Sequence, residues 1–195
     1  MNELTHRELG DAIRKMAWAY LLLHLNLNLG SLNLLPNWLG YWMLLSSMVR
    51  LAQWSPTARL LRPLGGFLAI MAGLDWLAAL AGVSTPANGL WPLLLALLTL
   101  LRQLIGLYFH FQLLTDIADA AVRAGYEEPE SILRARTGYT LLTTGIYLLQ
   151  GYAQQILWIY GLLLVAGLLA AFLICRQLFR LNGWLREPLP PPEEL

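Results

Sequence analysis

The placement of charge constrains this chain more than anything else in it. Twelve of its thirteen basic residues fall in four short segments, 7–15, 50–62, 123–136 and 176–186. Most of what lies between them is apolar and nearly free of charge. A hydrocarbon core of about 30 Å is crossed by roughly 20 apolar residues in a helix. Charged residues make up 13% of the chain, against about 25% for a soluble domain. Backbone N–H and C=O groups in lipid must be satisfied within the segment or in a closed barrel. The expectation is therefore all-α: an integral membrane bundle of about six transmembrane helices.

Residues 16–49 are apolar but interrupted by Gly30-Ser31 and Pro36. They read as two short spans, 16–32 and 37–49, that cross twice or form a re-entrant pair. Ahead of them, Thr5 and Glu8 make a capping box on an amphipathic lead-in, and Asp11 and Lys15 stand four residues apart as an ion pair. Further spans are expected at 64–83, 91–113, 137–152 and 156–175. The fourth helix should run on to Ala124 with Gly125 as its stop. Pro129 suits the first position of the next helix, which Glu130 and Arg134 would support as an i,i+4 pair. Residues 1–186 form one helical domain, and the proline-rich 187–195 reads as a disordered tail. Glu3, Glu8 and Asp11 argue against a signal peptide.

Orientation follows from arginine and lysine, which favour the cytoplasmic side. The turns at 84–90 and 150–155 carry no charge. One assignment satisfies every segment, with both termini cytoplasmic. Aromatic residues agree: Trp38, Tyr41, Trp42, Trp91 and Trp158 fall toward the outer surface, Trp18, Trp54 and Trp184 toward the inner one. The net charge of +1 gives no field for nucleic acid. The single cysteine, Cys175, excludes a disulfide framework and a cysteine metal cluster.

Asp75 and Arg102 are the only acid and the only base inside the expected spans. Each stands eleven residues into its helix, roughly 16 Å along the axis and near the bilayer centre. Unpaired, each would cost about 2.5–3.5 kcal/mol on the insertion scale. Antiparallel neighbours joined by a short turn can pair them. The pair is either a charged site for an ion, proton or polar ligand or a device that sets helix register. The fourth span divides into a polar half, with Arg102, Gln103, Gly106, His110, Gln112 and Asp116, and an apolar half, with Leu100, Leu104, Leu107, Tyr108 and Phe111. The threonine stripe of the fifth span, Thr140 and Thr144, suits bonding to its own backbone.

The segment HLNLNLGSLNLLPN (24–37) puts His24, Asn26, Asn28 and Asn33 in a leucine-rich stretch. Either that helix is central in the bundle or it unwinds near Gly30, as broken helices do at transporter binding sites. His24 and His110 admit a bis-histidine haem reading, which two histidines support weakly. Asp116-x-x-Asp119 resembles the acidic metal motifs of membrane prenyl and lipid-phosphate transferases. However, residues 138–175 hold no Asp or Glu, so a solvated helix end is the better reading. No catalytic residue, metal ligand or cofactor is assigned, and the chain reads as a binding protein rather than an enzyme.

The run Asn33, Leu34, Leu35, Pro36, Asn37, Trp38, Leu39, Gly40, Tyr41 resembles a motif of small polytopic membrane proteins of bacteria. The resemblance implies a bacterial inner (cell) membrane and no particular activity. Size and expected topology are also similar to the substrate-binding membrane subunits of energy-coupling-factor vitamin transporters. Their A-x-x-x-A docking motif is absent from the first helix, where Ala12, Ala17 and Ala19 have other spacings.

The combined expectation is a membrane protein that binds or transports a small molecule or ion at His24, Asn26, Asn28, Asn33, Asp75, Arg102, Gln103 and His110. Its partners would be the lipid bilayer, the ligand, and a second copy or another membrane protein. The alternative is a structural or assembly subunit that binds other membrane proteins.

Overall fold

A computed structural model describes residues 3–25, 28–29, 32–33, 36–82, 89–153 and 157–187. These form six helices: α1 (Glu3–His24), α2 (Asn37–Trp54), α3 (Ala58–Leu80), α4 (Trp91–Arg123), α5 (Pro129–Ala153) and α6 (Leu157–Arg186). Each packs on the next in sequence, and α6 closes on α1, with α2 also touching α4. Short connections make consecutive helices antiparallel neighbours.

Helices α3, α4 and the Gly161–Arg186 part of α6 are long and apolar enough to cross a membrane. At 33 residues α4 extends about 50 Å, well beyond the hydrocarbon thickness. The excess is used at the charged end of the bundle, where a conventional core forms. Leu9, Ile13 and Met16 of α1 pack there with Met48 and Leu51 of α2, Leu61 of α3, Leu113 and Ile117 of α4, and Leu178 and Leu181 of α6, all buried. Toward the other end the helices turn leucine outward: Leu74, Leu77, Leu93, Leu97, Leu100, Leu148 and Leu162 are more than half exposed. A continuous apolar surface of this kind would be a liability in water and is the expected surface in lipid.

Two close approaches depend on glycine. A Cβ on Gly40 of α2 would lie 2.7 Å from Leu23 Cγ of α1, and one on Gly65 of α3 would lie 2.8 Å from the Phe109 ring of α4. Gly125, at φ +89°, ends the α4 region as expected, and Pro129 opens α5 with Glu130 paired to Arg134 at 3.0 Å. Ala170 and Ala171 of α6 are buried, and the nearest neighbour of Gly167 is Ile146 of α5. That stripe of small residues therefore packs within the bundle.

Three expectations are corrected. First, the lead-in and first span form one helix that already begins at Glu3, so Thr5 lies inside it instead of capping it. Second, Asp11 pairs not with Lys15 but with Arg14 at 3.4 Å and Arg186 at 2.6 Å, which ties α1 to α6. Third, α1 stops at His24 instead of running to 32. Beyond it Asn28–Leu29 (β1) pairs antiparallel with Leu32–Asn33 (β2), in the register Asn28↔Asn33 and Leu29↔Leu32. The physical reason is in the sequence. Leucine and asparagine alternate with period two through 25–29, the spacing of a strand and not of a helix.

Candidate functional site

Polar side chains gather at three levels along α4. The helix was expected to have one polar and one apolar half, and it does: Leu100, Leu104, Tyr108 and Phe111 are exposed while Gly106, His110 and Asp116 are buried.

At the upper level, Arg102 Nη1 donates to Asp75 Oδ2, joining α4 to α3 in the expected ion pair. Helical spacing puts Asp75 on the stripe of Leu61 and Leu68, and Arg102 on the stripe of Gly106, Phe109 and Leu113. Lower down those stripes are buried. At this level they are not: the Asp75 side chain is 59% exposed and that of Arg102 35%. Both charges thus stand on inward stripes where the bundle is open. Tyr41 of α2 and Tyr147 of α5 lie within electrostatic reach of Arg102. Gln103 follows Arg102 on α4 and is half-buried.

The middle level is an aromatic and histidine cluster. His110 Nδ1 lies 3.1 Å from the Tyr20 hydroxyl. The His110 ring is surrounded by Tyr20, Tyr41, Phe109 and Tyr139, with centroids 5.2–6.0 Å away. His24, in the last turn of α1, joins the cluster through Tyr139 at 5.5 Å. Its Nδ1 donates to the Tyr20 carbonyl one turn back, at 2.9 Å. A carbonyl only accepts, so the proton of a neutral His24 is on Nδ1 and Nε2 keeps its lone pair. Aromatic rings fill the space around His110 that a haem plane would require, so these residues do not fit a haem.

The lower level corrects a sequence reading. Asp116 was expected at a solvated helix end, yet it is 0% exposed. The turn between α2 and α3 folds over it. Ser55 Oγ donates to Asp116 Oδ1 at 3.1 Å, Thr57 Oγ1 donates to the same oxygen, and Gln112 Nε2 does so at 3.2 Å. Asp119, three residues on, is exposed. The physical reason is the length of α4, which carries Asp116 beyond the apolar span but into the packed base of the bundle.

Of the expected residues, the structure brings Asp75 to Arg102 and His24 to His110. Asn28 and Asn33 face one another across the two-residue ladder, and β2 lies against α3. Asn26 lies outside the described residues. Thr140 and Thr144 donate to their own helix backbone at 2.9 and 2.7 Å, as expected. The sequence reading missed Tyr20, Tyr41 and Tyr139 around the histidines, and Ser55, Thr57 and Gln112 around Asp116. Tyr20 had a local signal, standing one turn before His24. Ser55 and Thr57 lie 61 and 59 residues from their partner, and no local pattern marks them.

No family model matches this chain, and neither a curated protein nor a solved structure matches it.

Proposed function

We propose that this chain is a multi-pass protein of a bacterial inner membrane that binds or transports a small polar molecule or ion in an intramembrane cleft. The cleft is bounded by Asp75 and Arg102, with Tyr41 and Tyr147 nearby and the Asn28/Asn33 ladder on the α3 side. The observation that carries this reading is the half-open ion pair. A salt bridge that served register alone would be most stable fully enclosed between helices. Here the inward stripes of α3 and α4 are exposed at the pair, which leaves charged hydrogen-bonding capacity available to a ligand. Charged residues at membrane depth are costly, and where they face a cavity they mark ligand and ion pathways. The ladder supports the same reading, because non-helical backbone at that depth is tolerated only against protein or a water-filled cavity.

Native mass spectrometry of protein gently extracted from its own membrane tests this directly. A bound mass that is not bulk lipid is expected on the native chain and is expected to be lost in Arg102→Ala, with insertion and folding retained. A bare native chain, or one that brings down another membrane protein, would replace this reading with the assembly-subunit alternative.

The six helices act as six crossings, with α1 and α2 as the short pair and both termini cytoplasmic. Segregation of the basic residues supports that orientation. Single cysteines at two exposed positions, Gln53→Cys and Leu90→Cys, should label from the cytoplasmic and outer faces respectively. The native Cys175 is buried and should label from neither. Labelling of both introduced cysteines from one side would overturn this topology, because α3 would then not cross.

A further inference from the structure

We infer that Asp116 and the α2–α3 turn form a binding site for a sodium ion at the charged end of the bundle. The site is separate from the Asp75–Arg102 pair: Asp116 stands fourteen positions along α4 from Arg102, roughly 21 Å of helix.

Asp116 is 0% exposed, and its two oxygens are treated unequally. Oδ1 receives three neutral donors, from Ser55, Thr57 and Gln112. Oδ2 is buried and has no hydrogen-bond partner. Among the described residues no arginine, lysine or histidine forms an ion pair with Asp116. Arg123 gives one hydrogen bond to the Trp54 carbonyl at 2.7 Å and Arg136 one to Thr115 Oγ1 at 2.9 Å, its Nε being buried without a partner, and neither bonds to Asp116. The helix ends do not neutralise the carboxylate either. The C-terminus of α2 and the N-terminus of α3 meet in this turn, so their dipoles oppose one another. Burying a carboxylate without an ion-pair partner is costly, and the oxygen that lacks a hydrogen bond is Oδ2.

The surrounding chemistry suits a hard cation. Ser55 Oγ and Thr57 Oγ1 lie 2.9 Å apart. Each hydroxyl has one proton, so two protons serve three contacts, two to Oδ1 and one between the hydroxyls, and each oxygen keeps a lone pair for another partner. Together with Oδ2 these oxygens would offer the all-oxygen ligands that hard cations select. The set has a single carboxylate. One negative charge is matched by one positive charge, which favours an alkali ion over calcium or magnesium.

The test is thermal melting of the purified full chain in detergent, in sodium chloride against choline chloride at equal ionic strength. Sodium is expected to raise the melting temperature by about 5 °C. The response should vanish in Asp116→Asn and persist in Asp75→Asn, which leaves the upper site to report separately. Thr57→Val removes one oxygen ligand and keeps the carboxylate, so a reduced response there tests the site even if Asp116→Asn fails to fold. Equal melting in sodium and choline would overturn the inference. A sodium response that survives Asp116→Asn, or that is undiminished in Thr57→Val, would overturn it equally, because the ion would then act elsewhere.

Discussion

Asp75→Ala is expected to destabilise the protein by about 2.5–3.5 kcal/mol, and adding Arg102→Leu is expected to restore a large part of that loss. The single change removes the only described ion-pair partner of Arg102 and leaves its guanidinium unpaired within an apolar helix. The cost is that of a lone cation near the bilayer centre, not the intrinsic strength of the bond. Removing the second charge removes the cost, which is why the double variant should be more stable than the single one. Melting curves or denaturant titrations in one detergent give both numbers. Failure of the double variant to recover would show that the pair does not carry the coupling assigned to it. Recovery of stability without recovery of ligand binding would separate the two roles: the bridge holds α3 to α4, and the charges recognise the ligand.

Phe109→Ala should cost about 3–5 kcal/mol, the range for removing a fully buried aromatic side chain. Phe109 is 0% exposed on α4. Its ring lies against Gly65 of α3, so closely that a Cβ there would fall 2.8 and 3.2 Å from two ring carbons. It also meets His110 edge-on at 5.2 Å and Tyr41 at 6.3 Å. Truncation therefore opens a cavity where α2, α3 and α4 converge, directly beneath the cleft. The converse substitution, Gly65→Ala, should cost about 1–3 kcal/mol by overpacking. Combined with Phe109→Leu it should cost less than the sum of the two changes, since the smaller side chain vacates the space the methyl group needs. Additive losses in that double variant would mean the ring and the glycine do not share a contact.

The residues differ in how far they could be read before folding. Asp75 and Arg102 were legible because a charge in a leucine-rich span needs a partner, and adjacent antiparallel helices supply one. The polar half of α4 was legible because helical periodicity sorts side chains by face whatever they touch. The 24–37 segment held its signal in plain view: alternating leucine and asparagine around Gly30-Ser31 is a strand-and-turn pattern. The sequence left open a central helix or one unwound near Gly30, and a ladder of two residues on each strand is shorter than most periodicity arguments can resolve. Asp116 could not have been placed from its neighbours. A carboxylate at the end of an apolar helix is ordinarily solvated, and its burial depends on Ser55 and Thr57 arriving from about sixty residues away.

The sequence by itself determined that this chain is helical and rich in apolar segments, and which face of α4 is polar; of the six spans it suggested, three are helices long and apolar enough to cross a membrane. These follow from local quantities, hydropathy along the chain and the 3.6-residue period, which need no knowledge of neighbours. Tertiary structure alone decided that His110 is enclosed by three tyrosines and a phenylalanine, that the Asp75–Arg102 pair stands in an opening, and that Asp116 is buried with one oxygen unpartnered. Burial and pairing belong to the assembled ring of helices. They depend on which side chains meet across it, and that depends on the order and length of the helices and on the two glycines that let α2 approach α1 and α3 approach α4.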